Sequence, residues 1–144
     1  MKNRYNVQEY LYDFAVDGGA IGTIVLSSKK GKNPLPVDAI VTGVTARVLT
    51  APLSTGSATI SWGNNTVTAY SGTAIAIASL TLNSLHTGRV ASSSIWDDTN
   101  DRDVPLLVTD ETTDGTFKIA IATEALTAGK IIFEVEYLHP AVEV

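Results

Sequence analysis

The chain is 144 residues long, 15.2 kDa, with a net charge of −5 and a pI near 4.8. That length supports one domain with a core of its own. The absence of cysteine removes disulfides, thiolate catalysis and cysteine-bound zinc. The acidic balance argues against nucleic-acid binding, which needs a lysine and arginine footprint to displace counterions.

The N-terminal "MKNRYNVQEY" lacks the apolar core of a signal peptide. Its mixed charge and its Tyr5, Val7 and Tyr10 read as an arm over residues 1–10 that reaches a neighbour, with a single domain over 11–144. From there the hydrophobic pattern is that of strands, expected at residues 9–16, 20–27, 38–49, 57–62, 66–70, 104–109, 116–123 and 130–138. In "AIVTGVTARVL" Ile40, Val44 and Val48 fall in phase, and the β-branched content fits a pleated surface. "SATISW" and "NTVTAY" flank "GNN", a hairpin turn signal. "TAIAIASL" (73–80) alternates like a strand but is alanine-rich enough for a short helix. "TFKIAIATE" sets Phe117, Ile119 and Ile121 on one face, and "KIIFEVEYL" sets Ile131, Phe133, Val135 and Tyr137 opposite Glu134 and Glu136. The lysines Lys29, Lys30 and Lys32 read as a solvated turn between such elements. About eight short strands separated by turn signals predict an all-β, antiparallel sandwich of jelly-roll-like form. No apolar run approaches the ~18 residues of a membrane span. With 17% charged residues against a usual ~25%, the surface is one that desolvates cheaply against neighbours.

Four segments taken in order resemble a family of small virion proteins of tailed bacteriophages. They are "YDFAVDGGAIGTIVL" (12–26), "LPVDAIVTGVTARVLTAPLSTGSATISWG" (35–63), "IWDD" (95–98) and "FKIAIATEALTAGKIIFEVEYL" (117–138). The resemblance rests on their order and spacing, since each alone is what any β-sandwich yields. It implies a β-sandwich on the outside of a phage head, a decoration or cement protein made in the host cytoplasm. It implies the major capsid protein as a partner, and the local symmetry of capsid sites points to further copies of itself, as a homotrimer or other closed oligomer. It brings no catalytic residues and no cofactor. The segment "TLNSLHTGRVASSS" (81–94) departs from the family's pattern.

The densest chemistry is "IWDDTNDRD" (95–103), where Asp97, Asp98, Asp101 and Asp103 follow Trp96. Neither register of this stretch supplies the glycine and closing glutamate of an EF-hand calcium loop. A solvated turn is the expected reading, with an irregular calcium site as its alternative. Trp96, in a polar loop, is expected to be a buried anchor there or a contact to a neighbouring subunit. Together with Trp62 and Tyr70 it would instead make a flat sugar-binding platform, the mark of a receptor-binding module of a fibre or spike. A tail or neck component is a third reading. His86 and His139 lack partners at zinc spacing. There is no Gly-x-Ser-x-Gly elbow, and "DGGAIG" is not followed by a helix with a lysine, so it reads as a turn. A non-enzymatic structural role follows.

Overall fold

A computed structural model describes residues 5–26, 28–30, 34–65, 74–88, 106–110, 112 and 115–139. Strand β1 (Tyr5–Asp13) runs into a one-turn helix α1 (Phe14–Asp17), followed by β2 (Gly22–Val25) and β3 (Ser28–Lys30). Then come β4 (Ile40–Ser54), β5 (Thr59–Gly63), β6 (Ile75–Ala76), a 3-10 turn (Ile77–Ser79), β7 (Leu85–Gly88) and β8 (Leu106–Leu107). The chain closes with β9 (Lys118–Ala122) and β10 (Leu126–Leu138).

The strands form two antiparallel sheets, ordered β3-β1-β10-β4-β7 with β8 also on β4, and β2-β9-β5-β6. β7 pairs with residues 44–47 of β4 and β8 with residues 40–41, so the two occupy successive parts of one edge. Counting them as one position and setting aside the short β3 leaves eight positions. Their order, first-eighth-third-sixth over second-seventh-fourth-fifth, is the interleaving of a jelly roll. The expected sandwich is therefore observed.

Alternation puts one face of each sheet into a shared core. Gln8, Tyr10 and Tyr12 of β1, Ile131, Phe133 and Val135 of β10, Ile60 and Trp62 of β5, and Ile119 and Ile121 of β9 are all buried. An aromatic chain crosses between the sheets at its centre: Tyr10 stacks on Phe117 at 4.8 Å, Phe117 meets Phe133 at 5.2 Å, and Phe133 meets Trp62 at 5.3 Å. Such offset and tilted contacts suit the ring quadrupoles.

Residues 5–10, read from the sequence as part of an arm, are sheet. β1 pairs with β10 from Tyr5↔Leu138 to Asp13↔Lys130, because Gln8, Tyr10 and Tyr12 recur at the period that buries one face. In β4 the phase expected from Ile40 changes: Val41 and Val44 are both buried, three residues apart, where a bulge lies opposite Glu136 and Tyr137. "TAIAIASL" turns out to hold both alternatives, two residues of strand and then a 3-10 turn. β5 pairs with β6 as well as β9; the expected strand at 66–70 lies outside the described residues.

Candidate docking surface

The outward face of the larger sheet is built by the residues that alternate with the core. On β1 these are Val7, Glu9, Leu11 and Asp13, and on β10 they are Lys130, Ile132, Glu134 and Glu136. Register aligns them across the strands. Leu11 lies opposite Ile132, Ile132 opposite Arg47 of β4, and Arg47 opposite Leu85 of β7. The row runs from half-buried Leu11 and Ile132 to exposed Arg47 and to Leu85, which is 62% exposed. It is an apolar strip with one cation set into it.

The flanking rows are polar. Glu9 lies directly opposite Glu134, and Thr45 continues that row on β4. Like charges at opposed positions are mildly destabilising. On the other side Lys130 pairs with Asp13 at 3.2 Å. Thr42 donates from Oγ1 toward the Glu136 carbonyl and Oε1, both at 3.2 Å. Across its described residues the face offers apolar contact with a charged margin.

The residues singled out from sequence fall in different places. Val7 is exposed on this face, at its margin opposite Glu136. Tyr5 takes part in β1 opposite Leu138. Tyr10 is fully buried and stacked in the core, so its side chain is not available to a neighbour. Trp62 is likewise core, against Phe133; the hydrophobic period of β5 turns it inward, which withdraws it from a sugar platform. Trp96, Tyr70 and the aspartates Asp97, Asp98, Asp101 and Asp103 lie outside the described residues, as does most of the 81–94 segment beyond Gly88. The apolar row itself had not been anticipated. Its members sit on four separate strands, and only the pairing register brings them into line.

His86 and Ser84 meet at 3.2 Å between Nε2 and Oγ. They are two residues apart, Ser84 just ahead of β7 and His86 within it, and no carboxylate among the described residues is hydrogen-bonded to the ring, so the pair lacks the third group of a triad. His139 Nε2 lies 3.2 Å from the Val37 carbonyl. Among the described residues no three His, Asp or Glu side chains converge on a metal position. Among the described residues no helix is long and apolar enough to cross a membrane.

No family model matches the chain, and no curated protein matches it. Among solved structures, it is similar to a chain in the capsid asymmetric unit of cyanophage Pam1, with TM-score 0.60 and 21% identity over 94% of this chain and 85% of that one. It is also similar to a chain in the acidic stable capsid structure of Helicobacter pylori bacteriophage KHP30, with TM-score 0.52 and 17% identity over 100% of this chain and 97% of that one. At these identities the likeness is one of fold, and it extends over nearly the whole domain.

Proposed function

We propose that this chain is a non-enzymatic structural protein of a tailed-bacteriophage particle, and within it a decoration or cement protein on the outside of the head. The observation that carries the reading is the likeness of a complete jelly roll, end to end, to chains from two phage capsids. The order of sequence segments that resembles small virion proteins supports it independently of the fold. The partner is then the major capsid protein, with further copies of the chain in a closed ring, a trimer, matching the local symmetry of a shell.

The mechanism is passive. A rigid sandwich lays an apolar strip across the junction between shell subunits, and the area buried there adds cohesion against pressure from packaged DNA. The strip from Leu11 to Leu85 is the face that fits this task, because its apolar members are already fixed on paired strands and lose little freedom on docking. Trp62 is interior and takes no part in a glycan-binding platform, while Trp96 and Tyr70 lie outside the described residues.

Cross-linking and density from purified particles test the reading. The expected result is this chain in contact with the major capsid protein on the outer surface. Its recovery with tail or fibre proteins alone would overturn the assignment to the head.

A further inference from the structure

The smaller sheet ends at β2, which pairs with β9 on one side and has no strand partner on the other among the described residues. The direction of its free hydrogen-bonding groups follows from one bond. Leu26 donates its N–H to the Phe117 carbonyl, on the β9 side. Alternation then turns Ile24 toward β9 as well, and turns the N–H and C=O of Thr23 and Val25 toward the open edge.

Exposed sheet edges are ordinarily protected by charge, proline or brevity. The edge at β3 carries Lys29 and Lys30, and β6 is only two residues long. β2, four residues long, has neither charge nor proline. The stretch Ile21–Leu26 contains no charge and no proline. Its outward side chains include Ile21 at 59% exposure and Val25 at 58%, while Ile24 packs against the core.

We infer that the β2 edge is a contact between two copies of this chain, paired antiparallel about a two-fold axis with Thr23 opposite Thr23 of the second copy. The register follows from the side chains. Residues directly opposite in an antiparallel pair share a sheet face, so a two-fold pairing must centre on a residue. Centring on Thr23 makes a threonine pair and sets each exposed Val25 beside the exposed Ile21 of the other copy. It also aligns the outward-turned N–H and C=O of Thr23 with those of Thr23 in the second copy, while Ile21 stands just ahead of β2, across Gly22 at φ 135°. The edge is thus complementary to itself in shape, polarity and hydrogen bonding, and a neutral copy of the same edge is the partner it fits. The contact does not depend on the virion assignment. It lies on the sheet opposite the apolar strip, so it is compatible with docking and with a separate ring contact.

The native chain has no cysteine, so an introduced one reports on a single position. Thr23→Cys, oxidised mildly, is expected to give a covalent pair on a non-reducing gel, since opposed strand residues approach at ~5.5 Å, within disulfide reach. Leu53→Cys, also exposed but elsewhere, is expected to link no faster than random encounter. Thr23→Lys and Thr23→Glu are each expected to lose this association in sedimentation, by at least tenfold in affinity, and an equimolar mixture of the two to regain it. Recovery in the mixture separates a lost contact from a lost fold. Wild-type protein that stays monomeric at high concentration, a Thr23→Lys variant that associates as the wild type does, or Thr23→Cys that links no faster than Leu53→Cys would each overturn the inference.

Discussion

At Tyr10 the ring and the hydroxyl have different partners, and the two can be tested apart. The ring stacks on Phe117, while the hydroxyl accepts a hydrogen bond from Gln8 Nε2 at 3.0 Å. Burial pushes the Tyr10 hydroxyl up to about 12, despite the Gln8 hydrogen bond that favours the ionised form. Burial likewise pushes Tyr12 up to about 12, with the nearby Asp17 and Asp13 adding to it. Unfolded tyrosines ionise near 10. A group raised in the folded state contributes stability that is whole below the unfolded value and lost as pH climbs to the folded one. Stability is therefore expected to fall between pH 10 and pH 12. Tyr10→Phe removes one of these titrations, so urea unfolding across that range should show a shallower fall. The same variant should be less stable at pH 7, because Gln8 loses its acceptor while its Oε1 already has no partner among the described residues. Trp62→Ala should cost about 3–5 kcal/mol by thermal or chemical unfolding, from a cavity at the end of the aromatic chain.

The elements show where local pattern suffices and where it does not. β9, and β10 from Ile131 to Val135, were readable because each alternates there, and Ile119, Ile121, Ile131, Phe133 and Val135 are buried as the pattern names them. β4 was readable as a strand but not in phase, since a bulge of one residue is set by its partner β10 and leaves little mark in β4's own sequence. β3 and β7 went unseen because their sequences, Ser28–Lys30 and Leu85–Gly88, carry no alternation of apolar residues. The turn after α1 has its own constraint. Tyr12 donates to the Gly18 carbonyl at 2.8 Å, and Leu126 N–H donates to the Gly19 carbonyl at 2.7 Å. A Cβ at Gly19 would overlap the Leu126 carbonyl and come within 2.8 Å of the Phe14 ring. Gly19→Ala is expected to destabilise by about 1–3 kcal/mol, since backbone on one side and a packed ring on the other leave little room to yield. A melting curve checks it.

For the whole molecule, the sandwich was legible because its strands announce their inner faces one at a time. The docking strip was not, because adjacency of Leu11, Ile132, Arg47 and Leu85 is a property of sheet order. Arg47→Glu combined with Leu85→Asp should weaken binding to isolated phage heads by about tenfold or more while leaving the melting temperature near that of the wild type. Both residues are exposed, so a drop in melting temperature with no loss of binding would count against the strip.

The pairing of β1 with β10 also governs when the molecule can come into being. β10 lies between β1 and β4 although it follows both by a long stretch of chain, so the larger sheet has no middle until β10 is in place. Early strands must wait as separate pieces, and such long-range pairing is slow. The same arrangement brings Tyr5 beside Leu138, close enough for a short glycine linker to join them. A circular permutant opened at the exposed Ser54–Gly56 turn should then fold to the same sheet order, detectable by an unchanged far-UV spectrum and cooperative unfolding.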